Sequence, residues 1–313
     1  MTEALETVVD NPVRAGGSPV LSVLIPFFRD DPCALLTALD REAPTLHGSL
    51  EIVVLDDGSG DDDLAARVGE TVAGLRLPAR FVRLSANVGR SQGRNRLTRH
   101  AQGGVFLFLD SDMRPDDDRF LQTWAEVVAR HDPPVAFGGF SLKQASRSRE
   151  FAVHRALAAR SDCVAYTDRA RQPEKYVYTS NLLVRRDAFH AEAFDADFQG
   201  WGWEDVEWAM RIARRWPVLH VDNPATHLGL DTVERLAAKY EQSVGNFARV
   251  VARHPEVVGG YPSYRAARML KKAPALPAWR PMLKALARLP VLPTGARAFS
   301  LRLYRAALYA EAV

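Results

Sequence analysis

The sequence predicts an α/β fold: a mostly parallel central sheet flanked by helices, with a helical extension at the C-terminal end. Three observations carry that expectation. Short apolar runs rich in β-branched residues stop at proline or aspartate, helix-like stretches alternate with them, and acids gather directly after the runs.

In chain order, residues 1–17 close on Ala15-Gly16-Gly17 and read as a flexible lead, so ordered structure is expected from Val20. Val20-Leu21-Ser22-Val23-Leu24-Ile25-Pro26 fits a strand buried on both faces and halted by proline. A helix is expected from about Pro32 to Glu42, a second strand at Glu51 to Leu55, and a helix from Asp61 to Leu75. Arg80 to Leu84 reads as a third strand and Gly89 to His100 as a helix. Val105-Phe106-Leu107-Phe108-Leu109 makes a fourth strand that runs straight into Asp110. Such alternation calls for parallel strands joined by crossover helices, and open sheets of this kind bind ligands beyond the strands' carboxyl ends. Asp56, Asp57, Asp110 and Asp112 all fall there. The second half is less regular. It holds a strand at Pro134 to Gly138, a helix around Glu150 to Ala159, an apolar stretch at Asn181 to Val184, a Trp/Gly turn at Gln199 to Trp203, a helix from Glu204 to about Arg215 and a strand at Pro217 to Val221.

Composition bounds the function classes. At 313 residues, 47% hydrophobic and 25% charged, the chain has the balance of an ordinary globular protein. Two cysteines, Cys33 and Cys163, make no disulfide framework and no metal spacing, so they read as buried free thiols. The N-terminal residues lack a basic flank and an apolar core, and no run reaches the length of a membrane span, so a cytoplasmic location is expected. From Arg265 onward ten basic residues face one acid, a segment of +9 that leaves the remainder at −6. Its interleaved leucines and aromatics suit peripheral contact with an anionic membrane, or packing of a helical extension on the main domain. No nucleic-acid-binding motif accompanies the charge, and no nucleic-acid partner is expected.

The chemistry is carried by four constellations. Asp110-Ser111-Asp112 follows a buried strand; in extended backbone its two carboxylates point the same way and can face a hard Mg²⁺ or Mn²⁺ ion bridging phosphates, although Asp and Ser also make turns and caps. Asp56-Asp57-Gly58-Ser59 closes the second strand, where a carboxylate can accept from a base N–H or ribose hydroxyls, or simply end the strand in a turn. Asn87-Val88-Gly89 opens a helix carrying Arg94 and suits a nucleotide. It is neither a Walker loop nor a dinucleotide fingerprint, which argues against ATPase and dehydrogenase readings. Gly200-Trp201-Gly202-Trp203-Glu204-Asp205 joins flat aromatics, which stack on sugar C–H faces, to paired acids at a helix start that keeps a base ionised. The same residues could cap the helix and fill core. His227, after the last strand, could add a metal ligand.

In this order, Ser22 to Pro26, Asp-Asp-Gly-Ser, the Asn87 opening with Arg94-Asn95, Asp-Ser-Asp, Asn181 to Arg186 and Trp-Gly-Trp-Glu-Asp together resemble family 2 glycosyltransferases of the GT-A fold. The resemblance spans about residues 20–230. Gly200 to Asp205 looks like the acceptor block of β-1,4-galactosyltransferases and chondroitin-polymerase-type enzymes, with Trp203 where glycine is common. It implies a donor half at 18–112, an acceptor half at 113–235 and a basic helical extension at 236–313. It implies that Pro26, Asp56, Asp57, Asn87, Arg94, Asp110 and Ser111 bind a UDP-sugar donor, and that Asp112, Asp110 and His227 hold Mn²⁺ or Mg²⁺. Trp201, Gly202, Trp203 and Glu204 would bind a glycan or lipid-linked acceptor, with Asp205 as general base and an inverting outcome. A retaining relative, the polypeptide N-acetylgalactosaminyltransferases, carries Asn where Asp205 stands, which favours inversion. A non-catalytic nucleotide-sugar or glycan binder is the other alternative.

Overall fold

A computed structural model describes residues 4–13, 18–46 and 49–313. Eleven strands are β1 (Glu6–Asp10), β2 (Leu21–Phe27), β3 (Leu50–Asp56), β4 (Ala79–Leu84), β5 (Val105–Leu109), β6 (Met113–Pro115), β7 (Val135–Phe137), β8 (Phe140–Ser141), β9 (Asn181–Arg185), β10 (Val218–His220) and β11 (Ala225–His227). Eight of them form one sheet in the order β1-β4-β3-β2-β5-β9-β7-β10. Its donor-side run, β4-β3-β2-β5, is wholly parallel, with Leu21 opposite both Leu50 and Val105. β9 enters antiparallel between β5 and β7. The strands expected from apolar runs are all present, with ends shifted by a residue or two.

Alternation across the strands explains why β2, β3 and β5 read as unbroken hydrophobic runs. Val23, Ile25, Ile52, Val54, Leu107 and Leu109 face one core, while Leu24, Val53, Leu55, Phe106 and Phe108 face another on the opposite side. Each such side chain fully removed from water contributes roughly 1.5–3 kcal/mol. Both faces are therefore largely apolar, with a buried Ser22–Glu51 hydrogen bond near the strand starts.

β1 corrects the expected flexible lead, of which residues 1–3 and 14–17 lie outside the described residues. Glu6–Asp10 pairs antiparallel with β4, and Asn11 locks the approach by donating to Leu75 and Leu77 carbonyls and accepting from the Ala79 N–H. All five strand residues are exposed, so backbone pairing builds a strand that no burial pattern announces. Cys33 and Cys163 are also half-buried rather than buried.

The C-terminal part is helical. Val233–Gln242, Val244–Arg253, Pro262–Leu270, Leu276–Arg288 and Thr294–Tyr309 gather a third core from Leu236, Tyr240, Phe247, Leu283, Leu301 and Tyr309. That core also takes Val153, Phe198 and Met210 from the acceptor half, and a boundary after residue 235 would cut the Val233–Gln242 helix. The C-terminal helices are thus packed on the segment expected to be the acceptor half. No helix among the described residues is long and apolar enough to cross a membrane.

Candidate active site

The carboxyl ends of β3 and β5 bring the donor-side acids together with the loop that opens the Arg90–His100 helix. Asp57 accepts from the backbone N–H of Val88 (2.8 Å) and Gly89 (3.1 Å) and from the Asn87 side chain (3.0 Å), which also donates to the Asp57 carbonyl. Burial pushes Asp57 up to about 6 against the pull of the Val88 and Gly89 N–H groups. Gly58 has φ 69°, and a Cβ there would stand 2.2 Å from the Ala86 carbonyl carbon. The donor-binding roles expected of Asp57 and Asn87 therefore meet a different placement: the two hold each other and the loop. Asp56 is fully buried, and its Oδ1 accepts from the Ser59 N–H at 2.8 Å. Its Oδ2 lacks a hydrogen-bond donor and faces the Arg83 Nε at 3.6 Å. Pro26 sits opposite Leu55, one residue before the end of β2.

The Asp110 to Asp112 triplet does not continue the strand. The Met113 N–H donates to the Asp110 carbonyl at 3.1 Å, closing a turn, so the two carboxylates diverge instead of sharing a direction. Asp110 turns to arginine: the Arg94 Nη2 donates to its Oδ1 at 2.7 Å. Asp112 turns the other way, its Oδ2 3.1 Å from His227 Nε2. β11 pairs with β6, which sets His227 opposite Met113 and so beside Asp112. Among the described residues no group of three or more His, Cys, Asp or Glu is arranged to hold a metal ion. Asp112 pairs with His227, and Asp110, whose charge also reaches His227, pairs with Arg94. The Asp112 carboxylate oxygen is a ligand type that Mg²⁺ and Mn²⁺ favour, and Mg²⁺ commonly takes one or two carboxylates plus substrate phosphates. Gly229 leaves the room: a Cβ there would lie 2.0 Å from Asp112 Oδ2.

Across from the triplet, the acceptor block is built on left-handed backbone. Gly200, Gly202 and Trp203 have φ of 71°, 88° and 75°, the last costly for a bulky residue. This kink starts the Glu204–Ile212 helix with Glu204 inward and buried, at 3% exposure. Glu204 Oε1 accepts from the Arg90 Nε at 2.7 Å and lies 3.5 Å from the Arg94 Nη1; its Oε2 has no donor. Burial, followed by the Glu204 charge, pushes Asp205 up to about 7, while Arg90, Arg94 and the Val206 N–H pull it down.

Trp203 departs from the expected acceptor-facing ring. It packs 4.9 Å from the Phe247 ring, and its indole N–H donates to the Tyr309 hydroxyl at 2.9 Å. Trp201 lies beside Tyr240, with the Lys239 ammonium 5.8 Å from its ring centre. Three residues were missed by reading the sequence. Arg90 bridges Glu204 and Asp110. Asp30 is pushed above its ordinary range by burial and then by the Asp112 charge. Lys239 pairs with Asp231 at 2.5 Å and faces Asp30. The only signal for Asp30 was its place just past the end of β2.

A largely parallel α/β frame with acids at two strand ends, met by a second acid pair across an arginine link, is the arrangement of a GT-A fold. The family model described as glycosyl transferase family 2 matches residues 22–191, just over half the chain, and the protein belongs to that family. An N-acetylglucosaminyltransferase of Rhizobium sp. (strain N33) is 33% identical over 132 residues, covering 42% of this chain and 28% of that protein. Another, from Sinorhizobium fredii, is 32% identical over 108 residues, covering 34% and 26%. The matches thus span under a third of those relatives' length. Among solved structures, the mannosyltransferase PcManGT from Pyrobaculum calidifontis in complex with GDP-Man and Mn²⁺ shares the fold, with a TM-score of 0.57, 17% identity and coverage of 95% and 88%.

Proposed function

We propose that the chain is an inverting transferase moving a sugar from a UDP-sugar to a hydroxyl of a glycan or lipid-linked acceptor. The observation that carries this reading is the position of Asp205, a partly buried carboxylate next to Glu204, which Arg90 in turn links to Asp110 at the end of β5. A Mn²⁺ or Mg²⁺ ion, held by Asp112 and His227, would neutralise the diphosphate leaving group. Asp56 Oδ2, which takes no hydrogen bond among the described residues, would accept from the uracil N–H or a ribose hydroxyl. Glu204 orients the acceptor, and the Trp201 face stacks on its sugar ring. As the acceptor oxygen bonds to the anomeric carbon, the bond from that carbon to the diphosphate breaks and its electron pair leaves with the diphosphate. Asp205 takes the hydroxyl proton. One such displacement inverts configuration. Burial and the Glu204 charge raise the proton affinity of Asp205 above that of an ordinary carboxylate, which suits a group that takes a proton.

The same reading includes peripheral contact with an anionic membrane. Met269, Trp279, Met282 and Phe299 are exposed in the C-terminal helices and Val291 in the turn before the last of them, and Arg265 and Lys272 form no ion pair among the described residues. The test of the activity is UDP release from a UDP-sugar panel, beginning with UDP-GlcNAc, with Mn²⁺ and with EDTA. Metal-dependent release with an inverted product by NMR is expected. A product of retained configuration would sink the inverting assignment, and UDP binding without transfer or hydrolysis across the panel would leave a binding protein.

A further inference from the structure

Arg90 and Arg94 stand four residues apart at the start of the Arg90–His100 helix and so share one face. Both reach toward the same two carboxylates, which come from opposite halves of the protein. Arg94 is buried; it donates to Asp110 at 2.7 Å, and its Nη1 and Nε have no hydrogen-bond acceptor. Arg90 donates to Glu204 at 2.7 Å and keeps its Nη2 3.9 Å from Asp110 Oδ2. Glu204 receives no other hydrogen bond to its side chain among the described residues: Arg94 stands off at 3.5 Å and Oε2 is unpartnered. Arg90 is therefore the group that fixes where the Glu204 carboxylate sits.

We propose that Arg90 is a positioning residue for the transfer step: it ties the acceptor-side Glu204 to the donor-side Asp110 and thereby keeps the neighbouring Asp205 available as a base. This rests on Asp205 being the base. The groups facing Asp205 are Glu204 from its own helix, Arg90 and Arg94 from the opposite helix, the Val206 N–H, and Tyr178, a neutral buried phenol. Burial and the Glu204 anion favour the protonated acid; the two arginines favour the anion. Withdrawing one cation raises the proton affinity of Asp205. Because a base must be unprotonated, activity that disappears as pH falls will then disappear at a higher pH. Arg90 is half-exposed, so water screens its charge and the movement is modest, about one pH unit or about tenfold in rate on the acid side.

The test follows the Asp205 carboxyl carbon by NMR in protein labelled at aspartate, its signal assigned by its loss in Asp205→Asn, in the wild type, Arg90→Gln and Arg90→Lys. The Asp205 titration should move upward by about one unit in Arg90→Gln and by less in Arg90→Lys, and added guanidinium ion should partly reverse it. The acid limb of kcat/KM should move to higher pH with it. An unmoved Asp205 titration in folded Arg90→Gln, or a shift in Arg90→Lys as large as in Arg90→Gln, overturns the proposal. If Asp205→Asn turns over normally, the base assignment fails instead; if Asp205→Asn is inactive while the Arg90→Gln limb stays in place, only the positioning role fails.

Discussion

Asp112 and Gly229 are close enough that one atom decides the donor-side geometry. The Leu228 N–H holds the Asp112 carbonyl at 2.9 Å, so the turn cannot drift, and an added methyl at 229 must displace the carboxylate itself. Gly229→Ala should weaken the Mn²⁺ dependence by roughly tenfold, with little change in melting temperature, read by Mn²⁺ titration of UDP release. An unchanged Mn²⁺ midpoint would remove Asp112 from the metal's ligands. At this scale the sequence was only partly readable. Asp110 and Asp112 were found by their place after an apolar strand, but their divergence depends on a turn that residue spacing does not report. Arg90 was invisible as a link because its partner Glu204 lies 114 residues away and meets it only in the folded chain. Asp57 was legible as a strand-ending acid, yet its partners are backbone N–H groups of another loop.

The elements that carry the site divide by how strongly burial marks them. β2, β3 and β5 are apolar on both faces and were readable nearly to the residue, as was the helix that begins at Glu204. The C-terminal helices were legible as a basic, leucine-bearing extension, but their charges are largely internal. Arg280 meets Glu311 at 2.6 Å, Lys284 meets Glu241 at 2.8 Å, Arg288 meets Glu234 at 3.0 Å, and Arg305 lies over the Tyr240 ring. Along Leu276–Arg288, Leu283 and Ala287 turn inward, while Trp279 and Met282, three residues apart, stay outside. The contact expected with an anionic bilayer therefore draws more on apolar insertion than a count of ten cations suggests. Flotation with anionic vesicles should show binding that salt weakens without abolishing, and Met282→Glu should reduce it several-fold. Equal binding to neutral vesicles, or none to anionic ones, would rule the contact out.

The whole molecule is organised as three cores, two on the faces of the sheet and one among the C-terminal helices. The first two draw on no residue beyond Ala225, whereas the third holds the acceptor block in place through Tyr309, whose hydroxyl meets both Trp203 and Ser243. A chain ending after Lys272 should keep UDP binding, measured by calorimetry, and lose transfer. Loss of both together would mean that the cores fold as one unit.

β1 has a practical side. By covering the outer edge of β4, it leaves the sheet's last strand bearing Glu6 and Asp10, each held in an ion pair, at Arg96 and Arg80. A shortened protein lacking the first dozen residues would present the Arg80 to Leu84 backbone as a bare template to any neighbouring chain, so trimming for crystallisation or placing a bulky tag there invites self-association.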